Sequence, residues 1–202
     1  MKAAILAAVF ISCGPAFGSS FANVYKIDTA SSRIDWKAGK KIGSFHNGQI
    51  KVKSGQVETD AKGVVKSANI VVDMKTITNE DLKDKPEYQK KLVDHLANDD
   101  FFKVGKYPES SFVLKTLTLK PGSKDEYIAK GDLTMIGKTE SVEFPVKIVA
   151  KDKNTLTGQG TLTIERLKWG LQYGSGSIFK SLTADKIIND TFDLTLNLTA
   201  TK

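Results

Sequence analysis

The chain has 202 residues and carries 30 lysines and arginines against 23 aspartates and glutamates, a net charge of +7. The cations are scattered along the sequence, without a run of five or six and without a basic helix face interleaved with aromatic residues. This dispersed excess is typical of a solvated surface. It argues against nucleic acid as a partner and is compatible with weak attraction to anionic membrane lipids.

The first 22 residues have the pattern of a secretory signal peptide. Lys2 is followed by an unbroken apolar run over residues 3–11, and small residues then offer cleavage sites at 16–18 and 20–22. The run is too short to cross a bilayer. We predict cleavage after Ala22 and export to the periplasm, with residues 23–202 as the mature chain.

Cys13 is the only cysteine in the sequence. It follows Phe10-Ile11-Ser12, which loosely resembles a bacterial lipobox, so lipidation of Cys13 is the alternative processing route. If cleavage follows Ala22, no cysteine remains, and the fold must be stable without disulfides in an oxidising compartment. The remaining length of about 180 residues suits one domain with its own core.

Apolar and polar residues alternate along most of residues 23–202. The signal is clearest in "FDLTLNLTA" at 192–200, where every second side chain is apolar. Turn residues such as Gly55, Gly63 and Gly137 separate the alternating segments. The pattern predicts about eight strands in a single antiparallel all-β domain, either a sandwich or a closed barrel. The other segments are "SRIDWKA", "QIKVKSG", "VVKSANIVVDM", "SFVLKTLTLK", "DEYIAKGDLTMIG", "SVEFPVKIVAK" and "TLTGQGTLTIERL".

Residues 79–100 lose this alternation. Pro86 suits the first position of a helix, Glu87 suits its first turn, and Leu92 and Leu96 form an i, i+4 pair. We predict one helix of about three turns between the third and fourth strands. A barrel of about eight strands covered by one helix can enclose a small ligand.

Five segments resemble, in order, motifs of the YceI-like family, bacterial lipocalin-like proteins that bind polyisoprenoids. The resemblance covers residues 24–201, with departures at His46 and Ala97. It implies an extended eight-stranded antiparallel lipocalin-like barrel whose apolar tunnel holds one long isoprenoid tail, such as that of a ubiquinone or a polyprenyl phosphate. The segments are "GSFHNGQI", "VVDMKTITNED", "HLANDDFFKVGKYPESSF", "AKGDLTMIGKTESVEFPV" and "IERLKWGL".

A carrier of such a tail needs a long apolar lining and few polar groups at its mouth. Met74 and Met135 favour a ligand wall, because flexible thioethers adapt to a variable tail. Arg166, beside Trp169 and Tyr173, either faces a ligand head group or pairs with an acidic neighbour. The candidate ligand-binding residues are Trp36, Phe45, Ile50, Ile70, Val72, Met74, Phe112, Leu114, Met135, Phe144, Val146, Arg166, Trp169, Leu171, Tyr173 and Phe192.

One of the two histidines lies in the acidic segment "VDHLANDDFF" at 93–102. Catalysis by His95 would need a nucleophile or an orienting partner, and the sequence holds no Ser-His-Asp or H-x-x-x-H arrangement. A transition metal would want more nitrogen or sulfur ligands. We therefore interpret the segment as a helix ending, with Leu92 and Leu96 docking the helix, His95 and Asn98 satisfying backbone groups, and Phe101-Phe102 entering the core.

The resulting hypothesis is a non-enzymatic periplasmic carrier without a cofactor, a catalytic residue or a metal. Its expected partners are a long-chain isoprenoid lipid or quinone, a membrane surface in transient contact, and a second copy of the chain in a homodimer. The alternative is an exported structural or stress protein, or an accessory module of a membrane quinone enzyme, with a barrel that is packed solid.

Overall fold

Nine antiparallel strands form one continuous sheet in the computed structural model, which describes residues 23–202. The predicted signal peptide and Cys13 lie outside the described residues. The strands are β1 (Asn23–Ile27), β2 (Arg33–Gly39), β3 (Phe45–Thr59), β4 (Val65–Asp73), β5 (Glu109–Leu119), β6 (Glu126–Met135), β7 (Lys138–Ala150), β8 (Thr155–Glu165) and β9 (Thr191–Thr201).

Eight of these strands close into a barrel. The order is β3-β2-β9-β8-β7-β6-β5-β4, and β4 pairs back onto β3. This confirms the predicted eight-stranded antiparallel barrel and decides against a sandwich. The ninth strand, β1, was not predicted, because its five residues bury only Tyr25 and Ile27. It pairs with the second half of β3 and with the end of β9.

A single α-helix, α1 (Pro86–Ala97), lies between β4 and β5 in the described chain. These are the third and fourth of the eight predicted strands, so both the existence and the position of the helix are confirmed. Pro86 occupies the start of the helix, where its missing N–H costs no hydrogen bond. Two short 3-10 helices, Met74–Thr76 and Arg166–Trp169, were not predicted.

The two ends of the barrel differ in how they are covered. One end carries α1, both 3-10 helices, the β2–β3 and β6–β7 turns and the long β8–β9 connection; we call it the helix end. The opposite end carries β1 and the β3–β4, β5–β6 and β7–β8 hairpin turns; we call it the far end.

The helix end is packed solid. Two clusters of buried side chains fill it, with partly buried residues of α1 and the following loop packed against one of them. Ile164 is 1% exposed and Leu171 2%. The large buried side chains that fill this end are Trp36, Ile50, Met74, Ile77, Met135, Ile164 and Trp169.

Candidate functional site: an apolar tunnel in the barrel

A cavity of about 150 Å³ occupies the middle and far half of the barrel; we call it the tunnel. Apart from Ser110, Ser111 and Thr157, its wall is made of aliphatic side chains, two aromatic rings and one glycine. The wall residues are Ile27, Ile34, Val57, Val65, Ala68, Ile70, Val72, Ser110, Ser111, Phe112, Leu114, Leu117, Ala129, Leu133, Phe144, Val146, Ile148, Leu156, Thr157, Gly158, Leu162, Leu194, Leu196, Leu198 and Ala200.

The wall is not filled by the side chains of the protein itself. Leu114, Ile148 and Leu196 alternate inward along their strands, yet they are only partly buried. In a packed interior such aliphatic side chains interdigitate and lose nearly all their accessible surface. At Gly158 an added Cβ atom would meet nothing within 4 Å. The far half of the barrel is therefore hollow.

Six of the candidate ligand-binding residues are in the tunnel wall. Ile70 and Val72 come from β4, Phe112 and Leu114 from β5, and Phe144 and Val146 from β7. The rings of Phe112 and Phe144 meet at a centroid distance of 5.6 Å, edge to face. These residues are brought together as the period-two pattern predicts.

Other candidates face inward but lie in the packed helix end instead of the tunnel. Sequence alternation sets which face a side chain is on, and it does not set the depth along the barrel axis. Both methionines thus fill core gaps next to tryptophan and are absent from the ligand wall. The residues in this group are Trp36, Ile50, Met74, Met135, Trp169, Leu171 and Phe192.

Trp36 shows why the helix end leaves no room for a ligand. Its indole Nε1–H donates to the carbonyl oxygen of Thr78 at 2.9 Å, which ties β2 to the segment that leads into α1. This approach requires glycine at position 48, because a Cβ atom there would lie 1.9 Å from the Thr78 oxygen. Trp169 is held in the same way, by donating to the carbonyl of Leu133 at 3.1 Å.

Two candidates lie at the surface. Phe45 is 57% exposed, because period two places it on the opposite face of β3 from Ile50. Its ring lies below the Lys37 ammonium, 5.1 Å from Nζ to the ring centroid. Tyr173 is 43% exposed and packs against His95 and Phe101. Neither side chain belongs to the tunnel wall. The expectation that Phe45 lines the tunnel is therefore corrected, and Tyr173, a candidate ligand contact beside Arg166, lies with the end of α1.

Arg166 is buried outside the tunnel. Its guanidinium donates to the backbone carbonyls of Asn189 (2.8 Å), Ile188 (3.1 Å) and Leu171, and Nη2 lies 3.4 Å from Oδ1 of Asp190. Burial lowers the pKa of Arg166, and the Asp190 carboxylate opposes that shift. Of the two roles considered, pairing with an acidic neighbour is the one observed. The side chain fastens the β8–β9 connection.

His95 belongs to the end of α1. Its Nε2 lies 3.1 Å from Oδ2 of Asp100, and its ring stacks edge to face on Phe101 and Tyr173. Asn98 accepts the backbone N–H of Asp100 at 2.8 Å. The interpretation as a helix ending is confirmed, although the partner of His95 is a carboxylate instead of a backbone group.

The docking contacts of α1 differ in part from the expected ones. Leu96 packs against the core as predicted, but Val93 takes the place expected for Leu92. Phe102 enters the core, and Phe101 stays with His95.

The second histidine, His46, is held by Asp81. Nδ1 of His46 lies 2.8 Å from Oδ2 of Asp81, whose other oxygen accepts from Asn47 N and from Asn79 Nδ2. Burial alone would raise the pKa of Asp81, but these hydrogen bonds outweigh it and lower the pKa. Neither histidine is part of the tunnel wall, and each is paired with one aspartate.

Within residues 23–202, no group of three or more His, Cys, Asp or Glu side chains is arranged to hold a metal ion. The same part of the chain contains no helix that is long and apolar enough to span a membrane.

Most wall residues that the sequence analysis did not single out lie at the far end. Leu194, Leu196, Leu198 and Ala200 belong to β9, which carries the clearest alternation in the sequence. That alternation was the available signal. The large and aromatic side chains among the candidates are concentrated at the helix end. The far end is lined by smaller aliphatic residues.

Comparison with known proteins places this barrel. The YceI-like domain model matches residues 25–200. The chain belongs to the YceI-like family. A UPF0312 protein of Pseudomonas putida strain GB-1 is 31% identical over 178 residues, which cover 83% of this chain and 86% of the relative.

Solved structures share the fold of this YceI-like protein. Burkholderia cenocepacia BcnA is 28% identical with a TM-score of 0.66, covering 87% of this chain and 99% of BcnA. A polyisoprenoid binding domain from Saccharophagus degradans, implicated in plant cell wall breakdown, is 13% identical with a TM-score of 0.62, covering 90% and 99%. At that identity the second likeness shows the fold alone.

Proposed function

We propose that this protein is a non-enzymatic carrier that holds one long-chain isoprenoid lipid, such as an isoprenoid quinone or a polyprenyl lipid, in the tunnel. The observation that carries the proposal is the hollow far half, where inward-facing leucines and isoleucines stay partly buried around an apolar space. An empty apolar space in a barrel forgoes packing energy, and an apolar ligand restores it. The polyisoprenoid-binding neighbour and the family support this ligand class.

The wall chemistry favours a hydrocarbon tail over a polar ligand. Burial of apolar surface contributes about 25 cal/mol for each Å² removed from water. A polar group placed among these side chains would find only Ser110, Ser111 and Thr157 as partners and would lose its hydration. Binding strength should therefore follow the length of tail inside the tunnel, with the head group near solvent.

The two histidines and Arg166, which could serve as acid, base or charge stabiliser, lie outside the tunnel wall. Both histidines are engaged with aspartates outside the wall, and Arg166 is committed to the β8–β9 connection. Acid–base or nucleophilic chemistry needs such groups within hydrogen-bond reach of a bound substrate. The proposal therefore includes no enzymatic turnover and no cofactor other than the bound lipid.

The signal peptide pattern supports a periplasmic location for the mature chain from residue 23. In that compartment the carrier would take up and release its lipid in transient contact with a membrane surface, to which its excess of lysines is attracted. A homodimer is part of the same hypothesis. The alternative of a solid-packed exported protein required a filled barrel, and the tunnel argues against it.

Quinones of increasing tail length test the proposal. We expect the affinity of delipidated protein to rise stepwise with each added isoprene unit, because each unit buries more apolar surface, and to change little when the head group is exchanged. Mass spectrometry of an organic extract of the native protein should show an isoprenoid lipid near one equivalent. Affinity that is flat with tail length, or that follows the head group alone, would contradict the proposal.

A further inference from the structure

We propose that the lipid tail reaches the tunnel sideways, through a slit between β4 and β5 at the far end, and not through the helix end. The inference rests on the proposed function, because it specifies how the carrier loads. The helix end is closed to this route by its buried tryptophans and by α1 with its neighbouring loops.

The slit follows from where strand pairing stops. β4 and β5 pair from Asp73 opposite Glu109 to Asn69 opposite Val113. Beyond that point residues 65–68 of β4 bond only to β3, and residues 114–119 of β5 bond only to β6. Both strands continue, but they are no longer joined to each other. The unpaired edges leave an opening in the wall of the barrel at this point.

A β-bulge helps the two strands to diverge. The register of β5 against β6 shifts between Leu114 and Thr116. A bulge bends its strand and increases the local twist. Here it lies one residue after the last β4–β5 pair, so β5 turns away where the slit begins.

The slit leads directly into the tunnel. Val65 and Ala68 on the β4 side and Leu114 and Leu117 on the β5 side all belong to the tunnel wall. Ala68, Leu114 and Leu117 are only partly buried. A tail that passes between the strands would therefore meet apolar wall at once.

Strands β7 and β8 also separate along part of their length, but there the gap is filled by side chains. β7 and β8 pair only from Val146 opposite Gly160 to Ala150 opposite Leu156. Pro145, which has no N–H to give, stands where that pairing ends. Phe144, Leu162 and Trp169 fill the space behind this gap, with exposures of 6%, 6% and 3%. Among residues 23–202, no comparable group of large buried side chains lies behind the β4–β5 slit.

The outer rim of the slit is suited to a lipid surface. Val64, at the β3–β4 hairpin, is 42% exposed, and Val113 and Leu119 on β5 are 41% and 47% exposed. Because apolar side chains flank both sides of the slit, an entering tail would not have to pass a ring of polar groups. Lys62 and Lys124, on the two flanking hairpins, make no ion pair among the described residues, so both can face anionic lipids.

Closing the slit with a cross-link tests the route. Continuing the register by two residues sets Ser67 opposite Lys115, both on the outer face of the barrel. We would join Ser67→Cys and Lys115→Cys with a short bis-maleimide in the otherwise cysteine-free chain from residue 23. The matched control joins Thr161→Cys and Thr195→Cys, which are already paired between β8 and β9, are exposed on the outer face and lie outside the tunnel wall.

The probe is a dansyl-labelled farnesyl chain presented in phosphatidylglycerol-containing vesicles. We expect the cross-linked slit to slow uptake by at least about tenfold, the effect of a barrier raised by about 1.4 kcal/mol. Cross-linking after loading should slow release similarly, and the control pair should change neither rate. If the cross-linked protein takes up the probe as fast as the protein without cross-link, the proposed route through the slit is wrong, but the proposed function stands. Absence of probe binding in every variant, the unmodified chain included, would overturn the proposed function with it.

Discussion

The two halves of this barrel are built from the same strands and differ in what meets at the axis. At the helix end, large side chains from opposite strands interlock under α1, and Ile164 keeps only 1% of its surface. At the far end, equally apolar side chains such as Leu196 face one another across open space and stay partly buried. An apolar interior is therefore not the same as a packed core.

Side-chain size explains the difference. Trp36 and Trp169 project into the helix end, while the far half places Ala68, Ala129 and Gly158 at inward positions. An eight-stranded barrel is just wide enough for large side chains to fill. Where small ones replace them, a channel remains, and the helix end supplies the stability that the channel lacks.

Removing the charge of Arg166, which holds the β8–β9 connection at the helix end, should have the largest effect on stability. Arg166→Met leaves the carbonyls of Leu171 and Ile188 without their donor and Asp190 without its partner. We expect a loss of about 3–5 kcal/mol in the free energy of unfolding, measured by urea titration, because each buried carbonyl left without a donor costs about 1–3 kcal/mol. Lys168→Met, at an exposed ion pair with Glu165, should cost less than about 1 kcal/mol. Equal costs would contradict the fastening role.

Truncation of one aliphatic side chain in each half compares packing directly. Ile164→Ala in the packed end should cost about 4 kcal/mol, because it removes buried contacts and leaves a cavity. Leu196→Ala in the tunnel wall should cost about 2 kcal/mol or less, because a cavity already exists there. Urea titration of both variants measures the difference. Equal losses would mean that the far half is packed as tightly as the helix end.

Filling the tunnel should separate ligand binding from stability. Gly158→Leu projects a side chain into space where an added Cβ atom meets nothing within 4 Å. We expect the free energy of lipid binding to weaken by about 2 kcal/mol, roughly 30-fold in affinity, because the new side chain occupies space in which the ligand would bury apolar surface. Thermal unfolding should stay level or rise, because glycine in a strand costs about 0.5–1 kcal/mol.

Gly105→Leu is the matched control for the filled tunnel. This glycine also has nothing within 4 Å of an added Cβ atom, but it lies exposed in the loop after α1. Lipid affinity should stay at the wild-type level in this variant. Gly158→Leu protein that binds quinones as tightly as wild type would place the ligand outside the tunnel.

The strands and the helix could be predicted from the sequence because they depend on local rules. Period two in β9 and the break around Pro86 are set by neighbouring residues, so the strand faces and the helix were both accessible. Strand β1 was not predicted because five residues are too few to show a clear alternation of apolar and polar side chains. Periodicity alone did not distinguish a barrel from a sandwich. The resemblance to the family motifs favoured the barrel.

The candidate site could be predicted only in part. Ile70 and Phe112 were assigned to the wall correctly because they face inward at mid-barrel. Trp36 and Met135 also face inward, but their depth depends on strand register and tilt, which are long-range properties. The same limit applies to Arg166, because three of its four partners lie 22–24 residues away in the chain.

The smallest expected effect is the pH dependence of stability that Asp190 contributes at the helix end. Burial works to raise the pKa of Asp190, but hydrogen bonds from Ser175 and Ser177 and the charge of Arg166 outweigh it, so its pKa lies below the ordinary 3.8. A carboxyl group with a lowered pKa in the folded state contributes stability above its unfolded pKa. That contribution is lost as pH falls through the folded value.

Asp190→Asn should therefore cost less than about 1 kcal/mol at pH 7, as expected for a partly exposed pair. Between pH 5 and pH 3 the wild type should lose more stability than the variant, and the two curves should converge. Lipid affinity measured at the same pH values should be equal in both proteins, because Asp190 lies outside the tunnel wall. Parallel curves down to pH 3 would show that Asp190 does not support the packed end through its charge.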